Sequence, residues 1–169
     1  MALDPNGFRK VIGSLAAGVT VVTTRDQQGE PRGLTATAVC SVSLTPPLLL
    51  VCIDHKADCY EAFQDAEAFA VNLLRDDQEA LSHHFARKDA QKFEGIAYRP
   101  GVTGAPILPG VLAHVECRVQ ARHPGGDHTI FVGEAVDSGV APLEDGRSPL
   151  LHFRGAYTRL ESRLPGDPS

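Results

Sequence analysis

The chain lacks most of the marks by which a catalytic, membrane or nucleic-acid-binding sequence is recognised. Its longest apolar run, Leu48 to Ile53, is far too short to span a bilayer. The opening "MALDPNGFRK" has no apolar stretch of signal-peptide length, so the expected setting is cytoplasmic, with no membrane partner. There is no basic block, and a formal charge of −5 argues against nucleic acid as a partner. No GxGxxG or GxxxxGK loop is present, which removes the usual nucleotide-binding frameworks, and no HExxH or GxSxG supports a zinc enzyme or hydrolase. The four cysteines, Cys40, Cys52, Cys59 and Cys117, stand at no metal-ligand spacing and read as reduced, mostly buried thiols. His83 and His84 are the one close histidine pair, and neighbours on a helix point about 100° apart, so no metal site is expected.

What is present describes a globular chain of short strands. A length of 169 residues, 43% hydrophobic and 22% charged, predicts a single domain over 1–169, with its core at about 8–160 and a frayed tail at 161–169. Sixteen glycines and twelve prolines point to many turns. Asp4 and Pro5 cap a short amphipathic helix with Phe8, Val11, Ile12 and Leu15 on one side. "VTVVTT", "LLLVCI", "AFAVNLL", "LAHVECRVQARH", "HTIFVGEAVDSGV" and "LLHFRGAYTRL" read as strands, with "PGGDH" as a hairpin turn. "LLLVCI" in particular reads as buried. A short helix is expected in "DCYEAFQDAE". A second is expected in "DDQEALSHHFARKDAQKF" with Leu81 and Phe85 inward, and residues 99–111 read as loop. The fold class that follows is mainly β: an antiparallel barrel or sandwich with a few peripheral helices.

One segment stands out. "GLTATAVCSVSLTPPLLLVCI", Gly33 to Ile53, carries no charge at all. Thr35, Thr37, Ser41, Ser43 and Thr45 occupy odd positions, and Ala36, Ala38, Cys40, Val42 and Leu44 even ones, so a strand here has a hydroxyl face and an apolar face. Two readings stand open: a threonine-rich strand with one wet face, or a platform whose hydroxyls and amides meet the heteroatoms of a neutral aromatic ring. Lys56, Arg87 and Lys88 are candidate phosphate ligands beside it, or solvated surface cations. "GGDH" offers backbone that a ligand can approach closely and places His128 at a strand start, as a ligand contact or a structural histidine. In "HFRGAY", Arg154 sits at a chain reversal, free to hold a phosphate or to pair with a carboxylate.

Taken in order, "AGVTVVTT", "GLTATAVCSVSLTPPLLLVCI", "FAVNLL", "LSHHFARKDAQKF", "GDHTIFVGEAV" and "PLLHFRGAY" resemble the flavin reductase-like family, the small reductase components of two-component flavin monooxygenases. The resemblance covers roughly residues 8 to 160. It implies a Greek-key split β-barrel, a homodimer, and hydride transfer from NADH or NADPH to diffusible FMN or FAD, with the reduced flavin passed to a separate oxygenase component. It further implies flavin contacts from Gly33, Leu34, Thr35, Ala36, Thr37 and Ala38, with Ser41 and Ser43 nearby and Cys52, Ile53 and Asp54 lining the site. The loop Lys56 to Cys59, including Asp58, and the turn carrying Phe85, Arg87 and Lys88 are implied to approach the ribityl chain and phosphate. Relatives carry hydroxyls where this chain has Ala57, Asp58 and Cys59, and a carboxylate there repels a phosphate. His128 is implied as the catalytic-site histidine, and His152, Phe153, Arg154 and Gly155 as contacts of the nicotinamide nucleotide. The rival reading is a flavin- or haem-binding module of the same fold without reductase turnover.

Overall fold

In the computed structural model, which describes residues 4–89, 91–142 and 148–160, helix α1 (Pro5–Ile12) starts as the sequence predicts. The Asp4 carboxylate accepts the Gly7 N–H at 3.0 Å and Pro5 follows at the first helical position. Strands β1 (Ala17–Gly18), β2 (Thr20–Arg25), β3 (Pro31–Ala36), β4 (Val39–Leu44) and β5 (Pro47–Asp54) come next. Helix α2 (Tyr60–Asp65), strand β6 (Ala68–Leu73), a 3-10 turn (Asp76–Gln78) and helix α3 (Glu79–Ala86) follow. The chain continues through β7 (Arg99–Pro100), β8 (Pro106–Ile107), the long hairpin β9 (Ala113–Gly125) and β10 (His128–Val140), and the short pair β11 (Leu151–Phe153) and β12 (Ala156–Thr158). The expected frayed tail at 161–169 lies outside the described residues.

Seven strands form one antiparallel sheet in the order β3-β2-β6-β9-β10-β5-β4. Its two edges, β3 and β4, are consecutive in the chain and separated only by Thr37 and Ala38. Ala36 and Val39 are three residue steps apart, at most about 10 Å, so the sheet must curl to bring its two edges together there. The result is a barrel, split where the chain crosses. The Ala38 carbonyl accepts the Cys52 N–H at 3.0 Å and ties this crossing to β5.

The crossing also breaks the expected alternation. In β3 the even-numbered Leu34 and Ala36 pack on the core, whereas in β4 the odd-numbered Val39 does so. Cys40 and Val42, expected on the apolar face, are exposed. A period of two holds only while the chain stays in one strand, and this chain changes edges.

The barrel is filled by Val22, Val51, Ile53, Phe63, Phe69, Val71, Cys117 and Phe131. Each large side chain here contributes about 1.5–3 kcal/mol by leaving water. Gly133 is required by this packing: a Cβ there would lie 2.6 Å from the Phe69 ring and 2.7 Å from Cys117. A second cluster, with Val19, Val21, Leu74, Phe85, Leu108 and Leu150, lies under α3.

Four other expectations are corrected. Helix α3 ends at Ala86 because Arg87 is extended (φ −69°, ψ 155°), so Lys88, Asp89, Gln91, Lys92 and Phe93 are not helical. "LLHFRGAYTRL" is not one strand but the hairpin β11–β12, turning at Arg154 (φ 51°) and Gly155 (φ 83°). In "LLLVCI" only Val51 and Ile53 are buried, and of the thiols only Cys59 and Cys117 are. The apolar side of α1 is left largely open: Phe8, Val11, Ile12 and Leu15 are all exposed. No helix among the described residues is long and apolar enough to cross a membrane.

Candidate functional site

Three groups of expected site residues can be placed. The first forms where β3 meets the loops after β5 and α3. Gly33 sits against the Phe85 ring, where an added Cβ would lie 3.2 Å from the ring and 3.1 Å from the Val22 carbonyl. Phe85 itself is fully buried and stacks edge-on with Phe93. Lys92, 5% exposed, donates to the Gly33 carbonyl at 3.3 Å and to the Asp58 carboxylate at 2.7 Å. The other Asp58 oxygen accepts the Asp89 N–H at 3.1 Å. The Asp58 carboxylate thus holds together the two loops that the resemblance assigned to a phosphate. Cys59, also buried, donates its S–H to the Gly33 carbonyl at 3.6 Å. Burial pushes its thiol up to about 11, against the opposing pull of the Lys92 cation. Arg32 pairs with Asp26 at 2.8 Å, and Arg87, Lys88 and Lys56 are exposed.

Burial sorts the expected ligand contacts. The side chains of Ile53, Cys59 and Phe85 point into the protein and support the site from behind. The buried Ala36 offers its carbonyl to the Thr20 hydroxyl at 2.7 Å. Of the hydroxyls, Thr35 donates to the Ser82 carbonyl at 2.6 Å and Ser43 accepts the Thr45 N–H at 3.1 Å. Thr37, Ala38 and Ser41 are exposed. The hydroxyl segment is therefore held from inside at Thr35, closed on itself in a turn at Ser43–Thr45, and open at the crossing.

The second group lies beside that crossing. Register pairs Cys52 with Ile130 and Asp54 with His128, so the "GDH" turn stands two residues along the sheet from the Ala38–Cys52 hydrogen bond. His128 Nδ1 lies 2.7 Å from the Asp127 carboxylate. A carboxylate accepts, so Nδ1 carries the proton and Nε2 is left for another partner. The hydrogen bond from His128, with its charge, holds the Asp127 carboxyl below its ordinary value. Behind the turn, the Thr129 hydroxyl meets Tyr60 Oη at 2.7 Å and His55 Nε2 at 3.1 Å, and the His55 N–H donates to the Asp127 carbonyl.

The third group, His152 to Gly155, belongs to a different sheet. His152 pairs with Ala17, and the Arg154 N–H donates to the Gly13 carbonyl at 2.7 Å. The Arg154 guanidinium rests on its own Phe153 ring at 5.1 Å. One relay connects this group to the hydroxyl segment: the Tyr157 hydroxyl meets the Ser82 hydroxyl at 2.7 Å, and the Ser82 carbonyl accepts from Thr35. A wider hollow of about 620 Å³ opens beside Tyr157, Asp76, Glu79 and Arg159, and none of the expected site residues lines it.

The sequence reading missed Lys92, Tyr60 and Thr129. Lys92 lies 34 residues from Asp58, and no local pattern couples residues so far apart. Tyr60 and Thr129 meet only through the packing of α2 on β10. A trio with metal-ligand atoms within 4.8 Å of one another, His114, Glu116 and Asp137, also forms. The Glu116 oxygens in it are already taken by the Val102 and Thr103 N–H groups and the Thr103 hydroxyl, at 2.7–3.0 Å.

Comparison with known proteins gives one consistent result. Residues 12–161 match the family model described as the flavin reductase like domain. A flavin reductase (NADH) of Kitasatospora aureofaciens is 43% identical over 159 residues, 93% of this chain and 82% of that protein. The reductase subunit of a flavin-dependent monooxygenase from Rhodococcus jostii is 38% identical over 160 residues, covering 95% and 80% of the two chains. An NADH:FAD oxidoreductase of Streptomyces globisporus, solved in complex with NAD and FAD fragments, superposes with a TM-score of 0.85 at 35% identity over 99% of both chains.

Proposed function

The chain belongs to the flavin reductase-like domain family, and from that premise we propose that it is an NAD(P)H-dependent flavin reductase. It takes a hydride from NADH or NADPH, delivers it to FMN or FAD, and supplies the reduced flavin to a separate monooxygenase component. It acts as one domain in the cytoplasm. The observation that carries the reading is the placement of the charge-free Thr37–Ala38 crossing beside the His128 turn, joined through Cys52. An exposed neutral strip of backbone and hydroxyl fits the ring of a flavin, and a histidine at its end fits a second, stacked ligand.

The bound cofactors supply the redox chemistry, hydride donation from the nicotinamide C4 to the flavin N5. The residues of this chain bind and orient. Thr37, Ala38 and Ser41 present hydrogen-bonding groups with no charge, so the flavin is held by many modest contacts and is able to leave. Asp127 holds the Nδ1 side of the His128 ring, which leaves Nε2 as the group that would position the nicotinamide when it is bound. Asp54 and Lys56 flank that turn, and His152 to Gly155 contribute from the second sheet.

The functional form we propose is a homodimer. The exposed apolar side of α1, and separately Val42 and Leu44 (92% exposed) on edge strand β4, are the apolar surfaces we assign to contact with a second copy. Light scattering on the wild type and on Leu44→Glu tests this: a dimer for the first and a shift toward monomer for the second are expected.

The test of function is NADH and NADPH oxidation with FMN, FAD and riboflavin each in excess. Turnover that saturates with added flavin is the expected result. His128→Ala is expected to lower turnover by about 10- to 100-fold with flavin affinity unchanged. Flavin binding with no nicotinamide oxidation would overturn the reductase and leave the binding module.

A further inference from the structure

The junction of the two loops does not fit a phosphate as it stands, and the misfit is specific. An anion at this spot needs a cation and backbone N–H donors. The junction has both, in the Lys92 ammonium and the Asp89 N–H, and both are bound to one carboxylate, that of Asp58. Lys92 is almost fully buried, and it also donates to the Gly33 carbonyl on the strand that leads into the crossing. The cleft bounded by Arg32, Gly33, Asp58, Asp89 and Lys92 has room for only about 10 Å³. Arg32, on its far wall, is already paired with Asp26.

We propose that the Asp58 carboxylate is a built-in anion occupying the place of the flavin's terminal phosphate, so that this chain recognises flavins by ring and ribityl chain with little dependence on that phosphate. The inference rests on the flavin-reductase reading and deepens it by naming the substrate feature the site ignores. A carboxylate anchored in the loop competes at high effective concentration with any diffusing anion, and its charge repels a phosphate that approaches Lys92. Removing that one charge while keeping the side chain's shape leaves a single neutral acceptor oxygen between the ammonium and the N–H, so the built-in anion is gone and at least one of the two donors is released.

The experiment titrates FMN and riboflavin, identical except for the phosphate, into wild type, Asp58→Asn and Asp58→Glu, with quenching of flavin fluorescence as the readout. Wild type is expected to bind the two within about threefold, and Asp58→Asn to favour FMN by about tenfold or more. Riboflavin affinity should be unchanged, and Asp58→Glu, which keeps the charge, should behave as wild type. Inorganic phosphate should raise the melting temperature of Asp58→Asn and leave that of the wild type alone. A wild type that prefers FMN by more than about tenfold overturns the proposal. An Asp58→Asn protein whose FMN-to-riboflavin ratio does not move overturns it equally. Should Asp58→Asn not fold, the wild-type ratio alone decides. Failure of the folded wild type to bind either flavin removes the flavin-reductase reading itself, which separates the two failures.

Discussion

Glu116 and Asp58 each hold a loop by its backbone, with different partners. Glu116 is wholly buried and accepts from two backbone N–H groups and one hydroxyl, all neutral, in the loop after β7. Asp58 lies at the rim of the candidate site and accepts from one N–H and one buried ammonium. At Glu116 the donors are all neutral and the carboxylate is wholly buried with no ammonium among its hydrogen-bond donors, so this clamp holds the loop and offers no cation to a ligand. An ammonium is a general anion ligand, so the Asp58 clamp uses a group that another anion could claim. The same chemistry therefore teaches opposite things: at Glu116 the carboxylate completes the fold, and at Asp58 it competes with a ligand.

The largest expected effect is at Glu116. Glu116→Ala leaves the Val102 and Thr103 N–H groups without their acceptor and should cost about 3 kcal/mol in urea unfolding. Gly101→Ala should act the same way, because its added Cβ would fall on the Glu116 carboxylate. Neither change should alter the FMN-to-riboflavin ratio, and either one doing so would erase the contrast. Asp58→Asn comes next. It strands the Lys92 charge but leaves its bond to the Gly33 carbonyl, so about 2 kcal/mol is expected, less than for a fully buried pair. Phosphate should recover part of that loss and none of the loss in Glu116→Ala.

Acid sharpens the comparison from another side. Burial pushes the Glu116 carboxyl up, but the hydrogen bonds from Thr103 and Val102 outweigh it and hold the group below its ordinary value of 4.5. A depressed folded value means that its stabilisation is present above 4.5 and is lost as pH falls through the lower folded value. The stability difference between wild type and Glu116→Gln should therefore shrink as pH drops through that window. A difference that stays flat would mean the carboxylate charge is not what holds the loop.

Most of the strands were legible, because they are local. "TVVTTR", "AFAVNL" and the "PGGDH" hairpin declare themselves by β-branched residues and by the glycine at Gly126, where φ is 75°. The capped helix α1 did so as well. What was not legible depends on distant partners. The flip of faces between Ala36 and Val39 follows from a sheet that closes on itself, which no window of residues contains. The ordering of residues 99–111 depends on Glu116, and the loop junction on Lys92 meeting Asp58. In the candidate site, the open crossing and the His128 turn follow from sequence order. The division of its residues into lining and support does not, since Ile53 and Phe85 read the same whether they face a ligand or the core.

The smallest expected effects come from two thiols that report on the two carboxylates. Cys59 is pushed up to about 11, chiefly by burial, with Lys92 opposing and Asp58 adding to the rise. Cys117 is pushed up to about 12, chiefly by burial, with Glu116 adding to it. In the native wild type a disulfide reagent should label the exposed Cys40 quickly and both of these hardly at all. Asp58→Asn removes a charge that disfavours the Cys59 thiolate and leaves the Lys92 cation that favours it, so labelling of Cys59 alone should rise by about threefold. Glu116→Gln should raise Cys117 alone, and by less, because burial still dominates there. If both thiols responded to either substitution, the two clamps would be parts of one cooperative unit, and the distinction between a carboxylate that completes the fold and one that competes with a ligand would fall.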